Sequence, residues 1–301
     1  MSSEANLIAA LRALAPHPAA RGLADDAAVL EFGDQPLVLT HDMMVEGVHW
    51  LAGQDPADVA YKLVAVNLSD LAAKGAEPVG VLLGYTLGAD EPAFGARFLE
   101  GLGEALAEFR VPLLGGDTVS APAGSARAIG LTALGRATCQ PVPSRGGAQV
   151  GDGVWVTGPL GGAMLGFEAL RDGTPGVDTA AFRRPRPLLA QGRALAPLVS
   201  AMMDVSDGLL LDASRMAEAS GVTFALAAAA IPLAPGVPEA RRHDALTWGD
   251  DYQLLFTAPP HFAPDHPATT RIGTVAARGP HPVLLDGTAP AGALGYQHGA
   301  I

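Results

Sequence analysis

Within Thr40-His41-Asp42-Met43-Met44-Val45-Glu46-Gly47-Val48-His49-Trp50, an acid closely follows an apolar run, Leu37-Val38-Leu39. That order predicts a carboxylate at the end of a buried strand. Asp55-Pro56 then predicts a helix start, with Asp as N-cap and Pro at the first helical position. Val59, Leu63 and Val66 supply the apolar face of that helix. Asn67 and Asp70, three apart near its far end, share a face. An acid at a strand end and another late in the next helix can converge on one point, and hard cations such as Mg2+ bind clustered carboxylate oxygens. Taken singly, each acid also reads as an ordinary surface residue.

The pattern recurs. Asp25-Asp26 sits in a turn before a strand, where the acids also serve as turn formers. Val111-Pro112-Leu113-Leu114 leads into Gly115-Gly116-Asp117-Thr118, a strand predicted to end in glycines and an acid. Met202-Met203 runs into Asp204-Val205-Ser206-Asp207-Gly208, where Ser206 or Asp207 also suits a helix N-cap. Trp248-Gly249-Asp250-Asp251-Tyr252 precedes a strong strand, Gln253 to Thr257.

Bulk composition narrows the chemistry. The 301 residues carry a formal net charge of -12, which argues against a broad nucleic-acid or anionic-membrane surface. An acidic protein that handles phosphates must neutralise them locally, with metal ions or a few placed arginines. Lysine occurs only at Lys62 and Lys74, both in or beside the predicted helix, and no G-x-x-x-x-G-K-[ST] run exists, so a P-loop is excluded. The single cysteine, Cys139, allows neither an intramolecular disulfide nor a cysteine-based zinc cluster. Met1 to Asn6 lacks the blocks of a signal peptide, and runs such as Phe224 to Ile231 are too short to span a bilayer. A soluble, cytoplasmic protein without membrane or nucleic-acid partners is expected.

The elements that must position these acids follow in order. A short helix is predicted over Leu7 to Leu14, strands over Gly80 to Leu87 and Ala128 to Leu134, and a helix on the stripe Phe94, Phe98, Leu102, Leu106 and Phe109. Such a stripe reads as core. The result is an α+β layer with helices on one face of a sheet. A glycine- and proline-rich shift around Thr138 to Gly151 marks a boundary, giving domains 1–137 and 138–301. In the second half, Val154-Trp155-Val156 is a predicted strand and Gly158-Pro159-Leu160-Gly161-Gly162 a turn opening a helix. Such a turn can bind phosphate on its free N–H groups, but here a packing role leads. Asp286-Gly287 signals a hairpin.

In this order, the motifs resemble those of the thiamine-monophosphate kinases, a family within the superfamily of aminoimidazole ribonucleotide synthetase. The matching runs are Asp25-Asp26-Ala27, Asp42 to His49, Asn67-Leu68-Ser69-Asp70-Leu71-Ala72-Ala73, Gly115 to Thr118, Arg145-Gly146-Gly147-Ala148, Asp204 to Gly208 and Asp251 to Phe256. The ordered set covers nearly the whole chain.

The resemblance implies a two-domain fold, with an N-terminal α+β layer whose sheet pairs across a homodimer and a C-terminal α/β domain. It implies ATP- and Mg2+-dependent phosphorylation of thiamine monophosphate to thiamine diphosphate by direct transfer, with several Mg2+ ions. By position, Asp26, Asp42, Asp70, Asp117, Asp204 and Asp207 correspond to metal-binding carboxylates, with Thr40 and His41 beside them. Gly116, Asp117, Arg145 and Ser206 fall at ATP contacts, and His49, Asp250 and Tyr296 at thiamine-phosphate contacts. A guanidinium fork suits phosphate oxygens, so Arg145 is the expected fixed positive charge. No covalent nucleophile is assigned. Read from the residues alone, His49 also suits a structural histidine and Tyr296 an aromatic packed on its own domain. Another ATP-using enzyme of the superfamily, or a non-catalytic nucleotide- or metal-binding protein, is the alternative.

Overall fold

A computed structural model describes residues 3–88, 91–122, 124–264 and 269–298. After helix α1 (Ser3–Arg12), the first sheet is built from β1 (Ala28–Leu30), β2 (Leu37–Val45), β3 (Ala76–Leu87), β4 (Leu113–Ser120) and β5 (Ala128–Ala137), in the order β1-β2-β5-β3-β4. Only β3 and β4 pair in parallel. Helix α2 (Pro56–Ala73) lies against β2, β5 and β3, and α3 (Glu91–Phe109) packs on α2.

Helix α2 starts where its sequence says: the Asp55 side chain accepts from Ala57 N at 3.0 Å, with Pro56 in the first turn. Its burial exceeds the single stripe of Val59, Leu63 and Val66. Every residue from Ala57 to Ala73 is buried. A helix enclosed on all sides is a core element, so its polar residues must find partners inside the protein. Asp70 is only 8% exposed, which excludes the solvated alternative. Strand β4 runs on through Gly115 and Gly116 to Ser120 rather than ending at the glycines. A Cβ at Gly116 would stand 1.9 Å from the Leu83 carbonyl oxygen, so β3 and β4 pass too closely there for any side chain.

The second sheet contains β6 (Gly153–Val156), β7 (Ala201–Asp204), β8 (Thr223–Leu226), β9 (Leu254–Ala258), β10 (Thr270–Ala276) and β11 (Val283–Leu285). Its order is β11-β8-β10-β6-β9-β7, antiparallel except for β11 on β8. Helices α4 (Gly162–Asp172), α5 (Ala180–Arg183), α6 (Leu189–Leu195), α7 (Leu209–Ser220) and α8 (Arg242–Trp248) complete this half. At Asp286-Gly287 the chain makes a two-residue turn, with both residues at positive φ, but it closes only a bridge between Leu285 and Thr288.

The halves meet along α2. Ala72 and Ala73 share an apolar cluster with Ala196, Met202, Leu254 and Phe256. A Cβ at Gly192 on α6 would stand 2.0 Å from the Ala72 carbonyl oxygen, so that approach needs glycine. Among the described residues, no helix is long and apolar enough to cross a membrane.

Candidate active site

Strand alternation decides which side chains of β2 face α2. Thr40 and Asp42 point toward the helix, and His41 and Met43 point away. Asn67 fixes the register between the two elements: its Oδ1 accepts from Asp42 N at 2.9 Å and its Nδ2 donates to the Leu63 carbonyl at 2.9 Å. One turn later, Asp70 accepts a short hydrogen bond from the Thr40 hydroxyl. Asp204, at the end of β7, accepts from the Ser69 hydroxyl at 2.5 Å. Carboxylate oxygens of Asp26, Asp70 and Asp204 thereby lie within 4.8 Å of one another.

Positive charge is unevenly shared among these acids. Asp26 meets both the Lys74 ammonium, at 2.5 Å, and the Arg145 guanidinium, whose Nε lies 2.8 Å away. Burial works to raise the Asp25 carboxyl, but Lys74 and Arg21 outweigh it and hold the group at about 2. Asp70 and Asp204 hydrogen-bond to hydroxyls instead. Burial, then the charges of neighbouring acids, pushes Asp42 up to about 6, Asp204 to about 8 and Asp70 well above the ordinary range. This donor set fits a hard divalent cation: all oxygens, clustered, and short of positive charge.

These acids line a cleft of about 660 Å³ between the two halves. On its rim, the Ser206 and Asp207 N–H groups donate to Asp212 Oδ2 at 3.1 and 3.0 Å, and Asp207 is paired with Arg215. Burial and the charge of Asp207 push Asp212 up to about 7.

The remainder of the cleft is aromatic and holds one ion pair. Lys62, 1% exposed, donates to Asp250 Oδ2 at 2.8 Å and to the His49 carbonyl at 3.0 Å, with its ammonium 3.9 Å from the Phe182 ring centre. Tyr252 donates to the other Asp250 oxygen at 2.9 Å. The His49 Nδ1 accepts from Val45 N at 3.0 Å, and burial lowers the ring's pKa, favouring the neutral form. His298 stands between His49 and Tyr296, at ring separations of 5.7 and 4.9 Å. Trp248 and Phe182 flank Phe167 on the other wall.

The family model for the N-terminal domain of AIR synthase related proteins matches residues 24–137, and that for the C-terminal domain matches 149–266. Thiamine-monophosphate kinase of Caulobacter vibrioides is 40% identical over 263 residues, covering 82% of this chain and 73% of the relative. The chain belongs to the thiamine-monophosphate kinase family. The Escherichia coli K12 member is 36% identical over 252 residues, covering 79% and 76% of the two chains. The solved structure of AaThiL complexed with AMPPCP and TMP superposes with a TM-score of 0.87 at 29% identity, covering 97% of this chain and 96% of that one.

Of the positions expected in this kinase family, the fold gathers Asp26, Asp70 and Asp204 around one point, backed by Thr40, with Asp42 lining the same cleft and its charge acting on Asp70. Arg145, Ser206 and Asp207 line the same cleft, as do His49, Asp250 and Tyr296. His41, Gly116 and Asp117 are not brought to the cluster. His41 is exposed on the sheet face opposite Asp42, and Asp117 is exposed on the edge strand β4. Gly116 aligns across the sheet with Asp42 through Leu131 and Leu83, three strand spacings or roughly 14 Å away.

Sequence reasoning missed Lys62, Lys74, Tyr252 and His298 as site residues. The scarcity of lysine was the one available signal for the first two. The glycine turn before α4 is filled from within: Asp251 Oδ1 accepts from Gly161 N at 2.8 Å, so packing rather than phosphate binding explains it.

Proposed function

We propose that this chain phosphorylates thiamine monophosphate to thiamine diphosphate at the expense of ATP. The convergence of the Asp26, Asp70 and Asp204 carboxylates on a cleft lined also by Arg145 carries the reading. Family membership and likeness to a relative solved with AMPPCP and TMP support it.

Phosphoryl transfer asks for positioning and charge neutralisation rather than covalent chemistry. Mg2+ is the proposed cation, held by Asp26, Asp42, Asp70 and Asp204 with Thr40 and with Asp207 at the rim; when bound, it would neutralise the phosphates of both substrates. Arg145 offers its fork to the nucleotide phosphates, and Ser206 lies beside it on the cleft wall. At the other end, Tyr296 stacks on the flat rings of the acceptor, and His49 and Asp250 orient it. Lys62 and Tyr252 keep the Asp250 carboxylate in one orientation.

The chain is further proposed to act in the cytoplasm, to divide at residues 137 and 138, and to form a homodimer through the open face of the first sheet. Gly116, Asp117 and His41 keep their proposed nucleotide and cation roles at that sheet.

A coupled assay of ADP release tests the activity. Release is expected only with thiamine monophosphate, ATP and Mg2+ together, and Asp70→Asn should abolish it. Full turnover by Asp70→Asn, or ATP binding without transfer to any thiamine compound, would overturn the reading.

A further inference from the structure

One buried cation lies inside the acid cluster and is used by none of the steps above. Lys74, at the C-cap of α2, is fully buried. Its ammonium faces Asp25 Oδ1 at 2.6 Å, Asp26 Oδ2 at 2.5 Å and the Met202 carbonyl at 3.2 Å. It donates hydrogen bonds to Asp25 Oδ1 and the Met202 carbonyl and meets Asp26 Oδ2 as an ion pair only, so that buried oxygen has no hydrogen-bond partner among the described residues. Arg21 and Arg145 complete the local set: three cations face the two carboxylates of Asp25 and Asp26, leaving one positive charge in excess. Through Asp26 that excess adjoins Asp70 and Asp204, which among the described residues hydrogen-bond to hydroxyls.

The two cations on Asp26 differ in freedom. The Arg145 side chain is 18% exposed and lines the cleft, whereas that of Lys74 is 0% exposed. Arg145 can turn toward a bound phosphate; Lys74 has no route out. We propose that Lys74 is a resident cation of the carboxylate nest, holding Asp26 in place whichever way Arg145 points and supplying charge that would otherwise come from a divalent ion. Lys74 is thus a positioning residue acting through Asp26, and the inference rests on the reading of Asp26, Asp70 and Asp204 as cation ligands. It has two consequences. The metal-free protein folds with its nest part-neutralised, and any divalent ion sharing Asp26 with Lys74 binds more weakly than bare carboxylates would hold it.

The test measures Mg2+ binding to the nucleotide-free full chain by calorimetry, together with the thermal midpoint at zero and saturating Mg2+. Lys74→Met removes the charge; Lys74→Gln also removes it but keeps hydrogen-bond donors for Asp25 and Asp26, so it remains informative if the first variant fails to fold. In both, half-saturating Mg2+ is expected to fall at least tenfold, the metal-free midpoint to drop, and saturating Mg2+ to recover most of the drop. Asp58→Asn, which weakens a buried ion pair away from the nest, should lose midpoint with no such recovery. An unchanged Mg2+ affinity in Lys74→Gln, or a midpoint loss that Mg2+ does not restore, would overturn the role of Lys74. If wild-type binding persists in that case and Asp70→Asn abolishes it, the cation site itself stands. Failure of the wild-type chain to bind Mg2+ at all overturns both.

Discussion

Lys62 Nζ lies 2.8 Å from Asp250 Oδ2, although the two residues are 188 positions apart. The same ammonium holds the His49 carbonyl, so one buried lysine joins α2, the turn after β2 and the loop before β9. Two of the three expected acceptor-side positions, His49 and Asp250, therefore depend on one residue that lies outside the acid cluster.

Lys62→Met should consequently separate the two ends of the cleft. Hydrogen bonds to charged groups contribute about 1.5–3 kcal/mol, equivalent to about tenfold to a hundredfold in affinity. We expect KM for thiamine monophosphate to rise by about that factor, with KM for ATP within about twofold of wild type. Steady-state ADP release at varied acceptor and varied ATP measures both. An equal rise in the two constants would mean that Lys62 supports the fold rather than the acceptor end.

The raised carboxyls predict a pH dependence of opposite sign to ordinary acid denaturation. An acid whose pKa is higher in the folded state keeps its proton longer there than in the unfolded chain. Unfolding then releases protons, and stability falls as pH rises from the unfolded value near 4 to the folded one. Asp42, Asp212 and Asp204, at about 6, 7 and 8, set that window. Asp25, at about 2, acts oppositely, but its contribution is complete above pH 4 and is lost only in stronger acid. His49, whose pKa is lowered on folding, adds stability as pH rises toward 6.5, so in a chelating buffer the thermal midpoint should decline between about pH 6.5 and 8.5, and Mg2+ should flatten the decline. Parallel profiles with and without Mg2+ would contradict the assignment of Asp42 and Asp204 to a cation.

What was legible beforehand follows from how local the physics is. Asp55-Pro56 announced the start of α2 because an N-cap and its N–H partner are two residues apart. Asp42 was expected at a strand end, but β2 continues to Val45, so the acid sits inside the strand, and alternation sets it on the face opposite His41. The lysines were illegible. Helical periodicity assigns Lys62 and Lys74 to a polar face, yet α2 has no solvent face, and their partners lie 188 and 49 residues away. The glycine turn before α4 was expected to serve packing, but its partner, Asp251, lies 90 residues on and could not be named from the turn itself.

A second contact between the halves is purely structural. Asp58, buried on α2, receives Arg183 Nη1 at 2.5 Å and a short bond from Arg184. Both guanidiniums remain about one-third exposed, so water can take over part of their solvation when the acid is neutralised. Asp58→Asn should therefore cost about 2 kcal/mol, below the larger penalty for breaking a fully buried pair. Denaturant unfolding measures the loss. At a temperature where the variant is folded, kcat should stay within about threefold of wild type.

The open face of the first sheet leads to the last prediction. On the side away from α2, Met43, Leu82 and Val119 are 54%, 39% and 53% exposed, and every residue of β4 is exposed along an edge that presents unpaired backbone groups. Monomers seldom leave a long apolar edge strand uncovered. His41 and Asp117 lie on this same face, so covering it would also bury two positions proposed for the nucleotide and cation. The wild-type chain should sediment as a dimer at micromolar concentration. Leu82→Asp, whose side chain points away from the core, should sediment as a monomer with its far-ultraviolet spectrum intact. Its ADP release should fall at least tenfold, because Asp117 and His41 would then stand in water. A wild-type monomer, or a fully active monomeric Leu82→Asp, would remove this face from both assembly and catalysis.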